Sequence, residues 1–211
     1  MKIDRRHFLA TTASLATLAS GSLLLAADGH AQDLSGLMEP GPLEDMAVGD
    51  ENAPVTIVEY ASMTCPHCAN FHTEIYPELK TKYVDTGKVR LIFREFPLDA
   101  RAYAASMLAR CADKQFYFPM IDVLFKQQSV WARAEDPRPP LLQIAKLAGF
   151  TQESFEACLK NQELLDNVNA TRSKAAEEFG VNGTPSFFIN GEKYSGNYTV
   201  EAMSEAIDSL L

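Results

Sequence analysis

The strongest constraint on the fold is a β-rich run followed closely by two cysteines. The run 55–61 reads VTIVEYA and is typical of a buried strand. The motif CPHC follows at 65–68, and its proline suits the first turn of a helix, where the missing N–H would be unpaired anyway. Apolar residues then recur at Phe71, Ile75 and Leu79. The sequence therefore predicts a strand that turns into a helix with a cysteine at its N-terminus.

This position gives the cysteine pair a definite chemistry. A thiolate is the reactive form of cysteine, and the partial positive charge at a helix N-terminus stabilises it at Cys65. Cys68 lies one turn further on, so the two sulfurs can bond without a large backbone movement. His67 can add a hydrogen-bond donor and, when protonated, a charge; each such interaction makes the disulfide a stronger oxidant. We expect Cys65 to be the exposed attacking thiol with a depressed pKa, and Cys68 to be more buried and to resolve the mixed disulfide.

Two other uses of the pair are less favoured by the sequence. A structural bridge between Cys65 and Cys68 would close a very small loop and stabilise little. A zinc site built from Cys65, Cys68 and His72 has no evident fourth ligand. We expect neither a metal nor an organic cofactor.

The N-terminal 31 residues are typical of an export signal. Met1–Arg6 is basic and includes an arginine pair, a mildly apolar stretch follows at Phe8–Ala27, and small residues predict cleavage after Ala31. The arginine pair resembles that of a bacterial twin-arginine signal, while a general secretory signal and an uncleaved anchor are the alternatives. Each alternative implies export, and we expect the periplasm, an oxidising compartment in which cysteines pair.

Composition narrows the remaining classes. With 46% apolar and 22% charged side chains, the 211 residues suit a globular chain. The net charge of -9 argues against nucleic-acid binding, because a polyanion would be repelled over most of the surface. Residues 32–49 are rich in Gly, Pro and acids and predict a flexible leader.

Further elements follow from apolar patterning and turn residues. Pro77 should kink the first helix, because it removes one backbone donor. The other predicted elements are a strand over Lys88–Phe96, a helix-forming region over Asp99–Phe179, a strand over Ser186–Ile189, a hairpin turn at Asn190-Gly191 and a closing helix over Val200–Leu211.

Three stretches together resemble the DsbA family of thiol:disulfide oxidoreductases: GDENAPVTIVEY at 49–60, CPHC at 65–68 and GVNGTPSFFING at 180–191. The resemblance implies an α/β chain with a thioredoxin fold and an inserted helical domain. Residues 50–98 and 181–211 would form the thioredoxin-like domain, and residues 99–180 the insertion. The dipeptide Pro66-His67 resembles that of strongly oxidising members, which implies an enzyme that introduces disulfide bonds into exported proteins.

The resemblance also implies roles outside the cysteine motif. Thr184-Pro185 resembles the family's cis-proline loop, which lies beside the cysteines and binds an extended substrate. Glu59 falls where the family has a buried acid, which implies proton transfer to or from Cys68. Without the resemblance, Pro185 would be read as part of a trans turn and Glu59 as a solvent-exposed side chain.

The remaining cysteines, Cys111 and Cys158, fall in the predicted insertion. In an oxidising compartment we expect them to form a structural disulfide that joins two helices; some members that resemble this chain have such a bridge and others lack it. Aromatic residues of the insertion are expected in its core rather than on a binding surface: Phe116, Tyr117, Phe118 and Trp131.

The expected partners are reduced exported proteins as substrates and a quinone-linked membrane oxidase that reoxidises a monomeric enzyme. One alternative is a periplasmic reductase or isomerase kept reduced by a membrane reductant. Thr184 fits that group somewhat better than the oxidases, but Gln32–Gly49 is too short for the dimerisation module that isomerases need. The other alternative is a non-catalytic chaperone that binds peptides in the groove beside Pro185.

Overall fold

The computed structural model describes residue 34 and residues 36–211. The expected export signal, 1–31, lies outside the described residues. The strands are β1 (Met46–Val48), β2 (Val55–Ala61), β3 (Val89–Glu95), β4 (Ser186–Ile189) and β5 (Glu192–Tyr194). The helices are α1 (Pro66–Asn70), α2 (Tyr76–Leu79), α3 (Ala100–Cys111), α4 (Tyr117–Lys126), α5 (Gln128–Trp131), α6 (Arg138–Leu147), α7 (Gln152–Leu159), α8 (Gln162–Glu177) and α9 (Val200–Asp208).

The strands form one mixed sheet in the order β1-β3-β2-β4-β5. β2 runs parallel to β3 and antiparallel to β4, so it is hydrogen-bonded on both sides. Six of its seven residues are buried, which explains its continuous apolar run. In this register Glu59 lies between Phe93 of β3 and Phe187 of β4, in the middle of the sheet.

The helices α3 to α8 all lie between β3 and β4 in the chain, where the resemblance places the insertion. Their core includes Trp131, which is fully buried and donates its indole N–H to the carbonyl of Leu124 at 2.8 Å. Tyr117 is buried as well, whereas Phe116 and Phe118 are only partly buried. The apolar core of the insertion therefore extends onto the sheet, since it also includes Ala61, Phe93 and Cys68.

Residues 32–49 were expected to form a flexible leader, but the described part of this segment packs against the sheet. β1 pairs with β3, and the side chain of Leu37 is fully buried. The buried guanidinium of Arg94 on β3 holds the segment, because it forms two hydrogen bonds to Asp45, at 2.7 and 2.8 Å, and others to the carbonyls of Leu37 and Glu39. A buried arginine needs such partners, and this segment supplies them.

Pro77 does not interrupt the helix, which continues from Pro66 to Val84. A π-helical turn at Phe71–Ile75 precedes it, and there the N–H of Tyr76 bonds to the carbonyl of Phe71, five residues back. A second π-helical turn, Lys80–Val84, follows α2. The one-residue shift in the hydrogen-bond ladder accommodates a residue that has no N–H, and the first widened turn includes His72.

Candidate active site

Cys65 is the residue that caps the N-terminus of α1, and Cys68 lies in the first turn. Both cysteines are free. Their exposed fractions are 6% for Cys65 and 0% for Cys68. Cys65 is thus the more accessible sulfur, but it is less exposed than the sequence predicted, because its Sγ lies 3.2 Å from the carbonyl oxygen of Thr184.

The environment of Cys65 favours its thiolate. A hydrogen bond from the Cys68 thiol is the largest cause, and together with the hydroxyl of Thr184 and the backbone N–H groups of Cys68 and His67 it lowers the pKa of Cys65 to about 5, against the opposing effect of burial. The contribution of His67 comes from its backbone, since its side chain is exposed and forms no hydrogen bond within residues 36–211. The hydrogen bond expected from the His67 ring is not present among the described residues. The backbone N–H groups at the helix N-terminus do lower the pKa of Cys65, as expected.

Cys68 has the opposite environment. Burial raises its pKa well above the ordinary value, and the hydrogen bond to Cys65 and the negative charges of Glu59 and Cys65 act in the same direction. At neutral pH the pair therefore consists of a thiolate at Cys65 and a thiol at Cys68. Such an asymmetry suits Cys65 to act as the attacking and leaving sulfur and Cys68 to take up a proton.

The loop opposite the cysteines contains a cis peptide bond between Thr184 and Pro185. The hydroxyl of Tyr198 donates to the carbonyl of Pro185 at 3.1 Å, and the hydroxyl of Ser186 donates to that of Gly183 at 2.8 Å. Within the described residues the buried hydroxyl of Thr184 has no partner of good geometry, so its proton is available to the thiolate. The loop lies against Cys65, as the resemblance implies.

Glu59 is fully buried, which excludes a solvent-exposed side chain. Its two carboxylate oxygens lie 3.1 and 3.0 Å from Nε2 of His72. The sequence suggests His72 only as a metal ligand. Among residues 36–211 no three His, Cys, Asp or Glu side chains are grouped as a metal site would need. The four-residue spacing between Cys68 and His72 on one helix was the signal for a shared face.

The helical insertion holds the segment before Cys65 by two contacts that the sequence did not indicate. The amide of Gln128 donates to the carbonyls of Met63 and Cys65 at 2.8 and 2.9 Å. The hydroxyl of Thr64 donates to Asp99 at 2.6 Å, and the same carboxylate caps the N-terminus of α3. The backbone that presents Cys65 is therefore held by side chains from the helical insertion.

The other two cysteines are bonded to each other. The disulfide between Cys111 and Cys158 joins α3 to α7, with Cα atoms 6.1 Å apart. It is the bridge expected between two helices of the insertion. No helix in the part of the chain that the structure describes is both long and apolar enough to cross a membrane.

Comparison with known proteins agrees with this geometry. The family model described as Thioredoxin matches residues 43–209. A Rickettsia bellii protein whose assigned name is protein-disulfide oxidoreductase is 38% identical over 168 residues. The match covers 79% of this chain and 64% of that protein. The chain thus spans a little under two thirds of the length of this relative.

Two solved structures are similar in fold. The crystal structure of alpha-DsbA1 from Wolbachia pipientis has 34% sequence identity and a TM-score of 0.75, over 82% of this chain and 94% of that one. BdbD from Bacillus subtilis, in its oxidised form, has 20% identity and a TM-score of 0.71, over 79% and 92% of the two chains; it shares the fold. Because the family model matches most of the chain and alpha-DsbA1 is covered almost completely, the chain belongs to the thioredoxin family and, within it, to the DsbA-like proteins.

Proposed function

We propose that this protein is a thiol:disulfide oxidoreductase that introduces disulfide bonds into exported proteins in the periplasm. The observation that carries the proposal is the asymmetry of the two thiols, with the pKa of Cys65 lowered to about 5 and that of Cys68 raised. A thiolate of low pKa is a good leaving group and stabilises the reduced pair. The disulfide between Cys65 and Cys68 is therefore a strong oxidant.

The reaction transfers two electrons from the substrate to the cysteine pair. A substrate thiolate attacks Sγ of Cys65, the bond to Cys68 breaks, and its electron pair remains on Cys68, which takes up a proton. A second substrate thiolate then attacks the substrate sulfur of the mixed disulfide, and Cys65 leaves as a thiolate. The substrate gains a disulfide, and the enzyme now has one thiolate and one thiol.

Four further residues take part in this proposal. The backbone of Thr184 and Pro185 would pair with an extended substrate, in the manner of strand addition, because it lies beside Cys65. Glu59 would exchange a proton with Cys68, and its buried position close enough to influence the pKa of Cys68 supports this role. Pro66 starts α1 and thereby sets the helix N-terminus at the cysteine.

The cycle requires a membrane partner and no organic cofactor. A quinone-linked membrane oxidase would accept the two electrons and restore the disulfide. The second candidate is a reductase or isomerase that a membrane reductant keeps in the reduced state. Thr184 is the observation that favours it, because a threonine before the cis-proline resembles that group somewhat more than the oxidases.

The test is the equilibrium of the cysteine pair with glutathione, followed by alkylation and mass spectrometry so that Cys111 and Cys158 are scored separately. We expect a potential near about -120 mV, as in strong oxidants. A potential near about -270 mV, that of thioredoxin, would contradict the oxidase and favour the reductase. A protein that binds unfolded peptides equally well without Cys65 would instead be a chaperone.

A further inference from the structure

The sequence contains two Asn-Gly dipeptides, at 182–183 and 190–191, one on each side of β4. Asparagine is chemically labile, and a following glycine leaves the next backbone nitrogen unhindered by a Cβ. Both asparagines are exposed, so exposure does not distinguish them. Their hydrogen bonds do distinguish them, and the first dipeptide directly precedes Thr184 in the loop that contacts Cys65.

The side chain of Asn190 is held by the start of β2. Its Oδ1 accepts a hydrogen bond from the backbone N–H of Thr56 at 2.7 Å, and its Nδ2 donates to the carbonyl of Pro54 at 3.3 Å. The backbone N–H of Asn190 also donates to the carbonyl of Thr56, at 2.8 Å. A reaction between this amide and the nitrogen of Gly191 would therefore have to break the contacts with β2.

Asn182 lacks these restraints in the part of the chain that the structure describes. Its side chain forms no hydrogen bond there, and the N–H of Gly183 forms none either. The chain is held just before and just after this point. The N–H of Val181 donates to the carbonyl of Ala175 at 3.0 Å, and the carbonyl of Gly183 accepts from the hydroxyl of Ser186 at 2.8 Å. The Asn182 side chain and the Gly183 nitrogen can therefore approach each other without losing a hydrogen bond of their own.

The reaction open to this dipeptide is deamidation through a cyclic imide. The nitrogen of Gly183 loses its proton and attacks Cγ of Asn182, a five-membered ring closes, and ammonia leaves. Water then opens the imide at one of its two carbonyl carbons. One product is aspartate, and the other is isoaspartate, in which the main chain continues through the side-chain carbonyl. Water is the only co-reactant, and nothing is oxidised or reduced.

The position of Asn182 gives this reaction a consequence for the cysteine pair. The residue lies two positions before Thr184, whose carbonyl oxygen is 3.2 Å from Sγ of Cys65. Two residues of chain span at most about 7 Å, so the new carboxylate lies at a distance comparable to the Debye length of about 10 Å. A like charge raises the pKa of Cys65 and destabilises its thiolate, which makes the disulfide a weaker oxidant. Isoaspartate also adds one carbon to the main chain beside Thr184.

We propose that Asn182 is a site of spontaneous deamidation and isomerisation, and that its products weaken the oxidising power of the cysteine pair. The modification itself is independent of the proposed function, whereas its effect on disulfide transfer rests on that function. Asn190 keeps its amide because β2 holds it. Molecules that have aged therefore become poorer donors of disulfides than newly made ones.

The first experiment follows both dipeptides in the same molecule. The oxidised protein is incubated at mildly alkaline pH, and peptide mapping by mass spectrometry measures the conversion of each amide to an acid. We expect Asn182 to react at least about 10-fold faster than Asn190, because only the unrestrained side chain readily reaches the geometry for attack. In urea, where both dipeptides are unfolded, the two rates should agree within about 3-fold. Equal rates in the folded protein, or a difference that persists in urea, would overturn the proposal.

Gly183→Ala is the matched variant for the attacking nitrogen. No atom lies within 4 Å of a Cβ added at this position, and the backbone there is outside the left-handed region, so the folded protein accommodates alanine. A Cβ restricts the backbone of the attacking residue, and we expect the reaction at Asn182 to slow by about 10-fold while that at Asn190 is unchanged. An unchanged rate at Asn182 would overturn the proposed site.

The second experiment measures the consequence for the cysteine pair. Asn182→Asp introduces the charge, and Asn182→Gln is its control, because it keeps a neutral amide. We expect Asn182→Asp to lower the equilibrium constant for oxidation of glutathione by about 3-fold, and Asn182→Gln to leave it unchanged. Equal constants in the two variants would overturn the effect on the oxidant. An unmodified protein with the potential of thioredoxin would reject the proposed oxidase, while the peptide map would still decide whether Asn182 is the modified residue.

Discussion

Cys65 and Cys68 lie three residues apart at the start of α1 and are free, whereas Cys111 and Cys158 lie 47 residues apart and are bonded. The first pair is placed by local structure, because one helix N-terminus carries both sulfurs. The second is placed by the packing of α3 against α7. The difference teaches that the reactivity of a cysteine pair depends on which redox form its surroundings stabilise.

For the first pair, the surroundings stabilise the reduced form. Hydrogen bonds to the thiolate of Cys65 are lost when the disulfide forms, and the disulfide closes only a very small loop. For the second pair, the disulfide restricts a long loop in the unfolded chain and therefore stabilises the oxidised form. One pair is suited to exchange and the other to structure.

The largest expected effect separates the two pairs by activity. Cys65→Ser should lower the rate of thiol-disulfide exchange by about 1000-fold or more, because it removes the sulfur that forms the mixed disulfide with the substrate. The double variant Cys111→Ala, Cys158→Ala should keep the rate within about 3-fold. Oxidation of a reduced peptide, followed by mass spectrometry, measures both. Equal losses in the two variants would break the division between an exchanging and a structural pair.

The same double variant should lose stability. A loop of 47 residues corresponds to about 4 kcal/mol in the free energy of unfolding if its closure acts through the entropy of the unfolded chain. Urea denaturation of the two proteins measures the difference. The control is the unmodified protein with its Cys65 and Cys68 pair reduced and the other disulfide intact. A loss below about 1 kcal/mol would mean that the bridge stabilises the fold little.

The reduced active-site pair should make stability depend on pH. The pKa of Cys65 falls from 9.0 to about 5 on folding, so the thiolate contributes stability that is complete above about pH 9 and is lost as the pH falls towards 5. At pH 7 the contribution is roughly 3 kcal/mol. Urea denaturation of the oxidised and reduced forms should therefore show a difference that decreases between pH 8 and pH 5. A difference independent of pH would contradict the lowered pKa.

Removing Cys68 should make the Cys65 thiolate less stable, so that the pKa of Cys65 rises. The thiol of Cys68 is the largest cause of the low pKa, and a hydrogen bond to a charged group contributes about 1.5 to 3 kcal/mol. In Cys68→Ala we expect the pKa of Cys65 to rise by about 1 to 2 pH units. Thiolate absorbance measured against pH tests this. If the titration is unchanged, the backbone N–H groups and Thr184 account for the low pKa.

The smallest effect concerns the contact between the helical insertion and the segment before Cys65. Gln128→Ala removes the amide that binds the carbonyls of Met63 and Cys65, which should cost about 1 kcal/mol of stability and loosen the segment before Cys65. Thermal unfolding and the alkylation rate of Cys65 measure these effects. Gln127→Ala is the control, because Gln127 is an exposed neighbour whose side chain forms no hydrogen bond within residues 36–211. Equal effects in the two variants would remove the positioning role of Gln128.

Several features could be predicted because they depend on short stretches of chain. The run VTIVEYA predicts β2 with its observed bounds, and CPHC predicts a helix that begins at Pro66. The hairpin turn after β4 follows from Asn190-Gly191, where both residues have positive φ. The resemblance implies the fold and the cis peptide at Pro185, which local patterning alone would have made trans.

The sequence by itself determined the reactive pair, since a strand, a helix start and three residues of spacing place Cys65 and Cys68 together. The tertiary structure alone decided which side chains surround them. Glu59 lies within hydrogen-bond distance of His72, and the amide of Gln128 donates to the carbonyl of Cys65. Arg94 donates to the carbonyl of Leu37, in the segment for which composition predicts a flexible leader. These contacts join residues 13 to 63 positions apart, and periodicity describes only which face of an element is apolar. Which polar groups meet in the interior depends on the packing of the whole sheet and its helices, because each buried polar group must find a partner there.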